Sequence, residues 1–232
     1  MRWIACLALG LVASCVEVSE TAQTRQPAAE RPAPTVTRAK VQQFLTVVQR
    51  IEPVAERNCR ARAPRSNCDF RIVVDDRPGQ PVNAYQTLDR TGRPVVAFTL
   101  PMIGAVRNAD ELAFVMGHEA AHHIAGHIPR QQQSAMAGAV ILGGIAAITG
   151  AGQSVVDGAV DLGAGVGGRV FSKDFELEAD ALGTVIAHRA GYDPVRGVAF
   201  FSQIPDPGNR FLGTHPPNAQ RVETVRRVAA GL

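Results

Sequence analysis

The stretch His118-Glu119-Ala120-Ala121-His122 constrains this chain more than any other. Residues four apart on a helix share a face, so both imidazoles reach one zinc ion only if the segment is helical. Asn108, with Glu111 three residues on, is a start signal for that helix, and Pro129 marks its stop; the expected span is about 108–127. Glu119 follows the first histidine and can project toward the metal's open position. There it would act as general base, activating a zinc-bound water for attack on an amide carbonyl. The metzincin pattern fails as the source of a third donor. It needs glycine at 125 and histidine at 128, where this chain has Ala125 and Ile128, and His127 is one residue out of register. His123 and His127 point away from the 118/122 face by helical geometry and read as packing or hydrogen-bonding residues, and His188 as a cation near a helix C-terminus.

A second acidic stretch, Phe175-Glu176-Leu177-Glu178-Ala179-Asp180, sits near the start of a helix expected over about 173–190 and closed by Gly191. Glu176 and Asp180 are four apart and share a face. One can ligate zinc while the other accepts the free ring N–H of a ligand histidine. The preferred assignment is Glu176 as metal ligand and Asp180 as the orienting carboxylate. Glu178 reads as a solvated acid at the helix start.

Around these two helices the chain alternates. Val41, Phe44, Leu45, Val48 and Ile51 predict an amphipathic helix over about 38–58, and a last helix is expected over about 216–229. Strands are expected at 70–74, 82–88 and 94–99, the last two joined by the turn Asp89-Arg90-Thr91-Gly92. The class is α+β, mostly helical, with a small sheet beside the zinc helix. Gln131 to Val156 carries no charged residue and by length could span a membrane. A single crossing would put the zinc ligands on opposite sides of the bilayer, which excludes it. A helical hairpin over the cleft, touching a membrane or serving as a lid, and plain core are the two readings left. The Gly-rich 158–168 continuation is expected to be mobile.

The ends of the chain supply an address. Arg2 precedes an apolar run from Ile4 to Ala13, too short for a bilayer, and the run ends in Val12-Ala13-Ser14-Cys15. This fits a bacterial lipobox: residues 1–14 a signal peptide, Cys15 lipidated, and a Pro/Ala/Thr-rich flexible tether to residue 37. An ordinary cleaved signal is the alternative. Val16, in place of an aspartate, favours the outer membrane over the inner one. With Cys6 in the signal and Cys15 lipidated, Cys59 and Cys68 remain to form a disulfide in an oxidising periplasm. A net charge of +3, from 24 basic and 21 acidic residues, excludes a strongly basic nucleic-acid binder.

Taken together, His118-Glu119-x-x-His122, Glu176-x-Glu178-Ala179-Asp180 and Thr214-His215-Pro216-Pro217 before Arg221 resemble the HtpX and prenyl-protease family of zinc metalloendopeptidases. The nearest likeness is to its exported bacterial BepA- and LoiP-type branch, over about 38–232. The resemblance implies a zincin (gluzincin) domain over 38–232, one Zn2+ per chain on His118, His122 and Glu176, and Glu119 as general base. It also implies that His215 approaches the metal, either stabilising the oxyanion or acting as a removable fourth ligand. Near Asn83-Ala84-Tyr85 it implies an edge strand beside the cleft. The expected substrates are unfolded or misassembled envelope proteins, hydrolysed in quality control. An envelope assembly factor or chaperone that uses the cleft mainly for binding is the second reading, and a small-molecule zinc hydrolase the third.

Overall fold

The computed structural model describes residues 36–170, 172–203 and 216–232. The expected signal peptide, Cys15, the tether as far as residue 35 and His215 lie outside them. Eight α-helices, one 3-10 segment and three strands make up these residues, as the α+β reading expects.

Helix α1, Arg38–Arg62, begins where the Thr37 hydroxyl accepts the Lys40 backbone N–H. It buries Phe44, Val47, Ile51, Val54 and Ala55. The buried stripe is rotated from the expected one: Val41 and Leu45 are 45% and 48% exposed, and Val47 takes their place in the core. The helix also runs past residue 58, through Pro53, because its last turn carries the buried Cys59. Cys59 is bonded to Cys68 across a short loop.

The strands β1 (Arg71–Asp75), β2 (Ala84–Leu88) and β3 (Pro94–Thr99) form one sheet in the order β1-β3-β2. β3 is central and buried, parallel to β1 and antiparallel to β2, with Ala84 opposite Phe98. β2 is therefore an edge strand. The short helix α2 (Leu100–Ala105), which sequence periodicity does not announce, is capped by Thr99 Oγ1 accepting the Met102 N–H.

Helix α3, Ala109–Ile124, starts at the expected Asn108, whose side chain accepts the Glu111 N–H. The Glu111 carboxylate reaches one residue further back than a capping box requires, to the Arg107 N–H. The helix ends three residues earlier than expected. Gly126, at φ +66°, breaks the direction, and a new helix α4 (His127–Ile148) begins at once. Pro129 falls in the first turn of α4, where a missing N–H costs nothing, so it opens a helix rather than closing one.

Helix α5 (Gln153–Val170) turns back along α4 through Gly150 at φ +76°. The Gly-rich 158–168 stretch lies within this helix. Its glycines let two backbones touch: a Cβ at Gly138 or Gly163 would overlap the other's carbonyl, and one at Gly167 the carbonyl of Ser134. The hairpin is not core. Its outward residues Val140, Ile141, Ile145 and Ile148 are 52–85% exposed. Among the described residues no helix is long and apolar enough to cross a membrane.

Helix α6 (Ser172–Arg189) closes at Gly191, and a short α7 (Pro194–Gly197) leads into the 3-10 segment Val198–Gln203. α8 spans Asn218–Ala229. The core lies between α1, β3, α2, α3, α6 and the 3-10 segment, around Ile51, Phe98, Met102, Phe114 and Ile186.

Closing the ten-residue Cys59–Cys68 loop removes about 2–3 kcal/mol of unfolded-chain entropy. The double variant Cys59→Ala/Cys68→Ala is expected to melt about 5–10 °C below the parent chain in a thermal scan. Coincident melting curves would show that the crosslink contributes nothing.

Candidate metal centre

The two motifs meet because α3 and α6 approach to backbone contact. A Cβ on Gly117 would stand 2.9 Å from the Gly183 carbonyl, and one on Gly183 would stand 2.8 Å from the His118 nitrogen. Neither position has room for a side chain. Gly183 lies three residues beyond Asp180 and seven beyond Glu176, so all three share one face of α6. Helix contact at that face sets both carboxylates against His118 and His122 on α3.

His118 Nε2 and His122 Nε2 lie 3.0 Å apart, and the Glu176 carboxylate oxygens lie 3.5 Å from the first and 3.4 Å from the second. Donors about 2.0–2.1 Å from a tetrahedral zinc ion are about 3.3 Å from one another. The triangle therefore has the size of one zinc coordination face. It is the one trio of His, Cys, Asp or Glu donors with that proximity among the described residues. Its chemistry fits too: two imidazole nitrogens with one carboxylate suit zinc.

The surroundings hold each donor in place. Asp180, wholly buried, takes His118 Nδ1 at 2.9 Å and is gripped by Arg221 through two bonds of 2.7 and 2.8 Å. Arg221, from α8, lies 3.5 Å from Glu176 and stacks over the Phe201 ring. Burial alone would disfavour a charged His118, but Asp180 and Glu176 outweigh it and lift its pKa to about 9. Burial and the neighbouring His118 push His122 down to about 3. Burial raises Glu119 to about 7; Glu176 adds to the rise, while His118 and Arg221 oppose it.

The face of the triangle away from the helices opens on a cleft of about 500 Å³. One wall is edge strand β2 with Asn83, Ala84, Tyr85 and Gln86. The Tyr85 hydroxyl donates to Asp75, whose carboxyl the Arg77 guanidinium holds well below the usual range. Another part of the lining is the base of the α4–α5 hairpin with Ile128 and Gln131, together with Phe175 of α6. Only that base lines the cleft; the exposed apolar part of the hairpin lies beyond it.

The structure thus brings together His118, Glu119, His122, Glu176 and Asp180. His123 turns outward as expected, bonding the Asn67 carbonyl at 2.7 Å. His127 does not. Because α3 stops at Ile124, the Gly126 break swings its ring back, and His127 Nδ1 lies 2.8 Å from His122 Nδ1. Glu178 is not a merely solvated helix-start acid either: it pairs with His127 at 3.2 Å and Arg130 at 2.7 Å. Periodicity along one helix could not reveal these contacts. Gly117 beside the motif and Gly183 a turn past Asp180 were the signals available for the helix contact.

A histidine pair on one helix, a carboxylate on a second and a small sheet alongside are the arrangement of a metallopeptidase domain. Residues 42–229 match Peptidase family M48, and the chain belongs to that family. It is a metallopeptidase by that membership. No curated protein matches the chain.

The helix contact makes opposite predictions at two glycines. Alanine is the better helix former by about 1 kcal/mol, but overpacking against backbone costs about 1–3 kcal/mol. Gly183→Ala is expected to lower the melting temperature by a few degrees. Gly144→Ala, with nothing within 4 Å, is expected to raise it. Equal shifts in a thermal melt would remove the close approach as the cause.

Proposed function

We propose that the chain is a zinc-dependent metalloendopeptidase of the bacterial envelope, hydrolysing peptide bonds of unfolded or misassembled proteins. The observation that carries this reading is the His118/His122/Glu176 triangle, sized for one zinc ion and open toward Glu119 and an edge strand. When bound, zinc supplies a Lewis acid that polarises a carbonyl and makes water nucleophilic at neutral pH. Glu119 takes the proton of the attacking water and passes it to the leaving amine. Arg221, locked onto Asp180, keeps positive charge beside the reacting centre. β2, an edge strand among the described residues, offers its outer side to an extended substrate backbone, a mode that favours unfolded chains over folded ones.

The envelope address rests on the N-terminal sequence. Arg2, the apolar run and Cys15 support lipid anchoring, and the Cys59–Cys68 bond suits an oxidising compartment. A periplasm-facing lipoprotein on the outer membrane, of the BepA- and LoiP-type branch, is the form of the protein that agrees with both. Metabolic labelling with a radioactive fatty acid is expected to mark the chain and to fail on Cys15→Ala. Labelling that survives in the variant overturns the anchor.

A second reading draws on the exposed α4 face of Val140, Ile141, Ile145 and Ile148. A patch of that kind suits a factor that holds unfolded envelope chains and cleaves occasionally. The deciding test uses the full chain in detergent, with zinc content and casein cleavage measured beside Glu119→Gln. About one zinc per chain in both, with cleavage falling at least about 100-fold in Glu119→Gln, is the expected result. Zinc without cleavage in the parent chain favours the holding role. No zinc overturns the site.

A further inference from the structure

His122 and His118 are oriented in different ways. His118 meets a carboxylate directly, at Asp180. His122 meets a second imidazole instead: its Nδ1 lies 2.8 Å from Nδ1 of His127. His127 Nε2 in turn lies 3.2 Å from Glu178, and Glu178 is held by Arg130 at 2.7 Å. His127 is 4% exposed and its ring stacks on Phe175, with centroids 4.6 Å apart and planes within 11°.

We propose that His127 is a positioning residue for metal binding, holding His122 in the one tautomer and ring orientation that present Nε2 to the ion. The inference rests on the zinc reading of the site.

The proton positions close from both ends. A ligand His122 has its lone pair on Nε2, so its single proton sits on Nδ1. The 2.8 Å contact then makes His127 Nδ1 the acceptor. Neutral His127 accordingly carries its proton on Nε2, facing the carboxylate of Glu178, an acceptor. No group in the chain of contacts is left with two donors or two lone pairs face to face. The opposite arrangement, with the proton on His122 Nε2, would turn a donor toward His118 and remove the ligand. Glu178 thus sets His122 through one intermediate ring, as Asp180 sets His118 without one. Orienting partners of this kind are worth about 10–100-fold in metal affinity.

The test measures zinc affinity of the full chain in detergent by competition with a chromophoric chelator. His127→Leu is expected to weaken zinc about 10–100-fold. His127→Asn, whose side-chain oxygen can take the place of Nδ1, is expected to recover most of that loss. A merely structural role would not separate the two. Zinc bound by His127→Leu as tightly as by the parent overturns the inference. So does an equal loss in Leu and Asn variants that tracks the melting temperature of the chelator-stripped protein. Should His127→Leu not fold, Glu178→Leu carries the test, its side chain being 48% exposed. A several-fold loss of affinity supports the relay, and an unchanged affinity overturns it. A parent chain that binds no zinc would instead sink the metal reading itself.

Discussion

Everything at this centre depends on two glycines that leave no room between α3 and α6. With a methyl on Gly183 standing 2.8–2.9 Å from the backbone of His118, the helices would have to part. The His118/Glu176 and His122/Glu176 spacings of 3.4–3.5 Å leave little slack for such a movement. Donor geometry around a small cation tolerates only tenths of an ångström. Contact between backbones is stiffer than contact through long side chains, so it suits a site of this tolerance.

Around that contact the protein gathers opposite charges. Glu176 and the wholly buried Asp180 both lie against the buried guanidinium of Arg221, and Asp180 also takes the ring of His118. Removing one member of a buried ion pair typically costs about 3–5 kcal/mol, because it strands the other charge. Arg221 comes from α8, far along the chain, and Phe201 covers its guanidinium. The C-terminal helix is therefore part of the centre, although it supplies no donor to the triangle.

The α4–α5 hairpin lies in sequence between the two ligand helices and enters the centre only at its base. His127 and Arg130 in its first turn reach His122 and Glu178, while the distal apolar residues stand exposed. Close glycine packing lets two thin helices stand together with little side-chain core of their own. The hairpin thus joins a tightly bonded end, at His127 and Arg130, to an apolar outer face, and only the second falls within the uncharged 131–156 stretch.

Much of the centre was legible in the residues themselves. The spacing of His118 and His122, the capping pair Asn108 and Glu111, and the four-residue step from Glu176 to Asp180 all follow from helical periodicity, a local property that sequence records directly. The three strands and the α+β class were legible for the same reason. What periodicity could not show was where a helix is broken and what two helices do on meeting. Pro129 reads alike as a stop or as a first-turn residue, and only the left-handed Gly126 decides for a new helix, turning His127 back onto His122. Val47 rather than Leu45 faces the core because its neighbours lie on other elements. The sequence by itself determined which groups can carry the chemistry. The tertiary structure decided which carboxylate and which imidazole orient each donor, because those contacts join residues about 5 to 60 positions apart, and only packing brings them within hydrogen-bond reach.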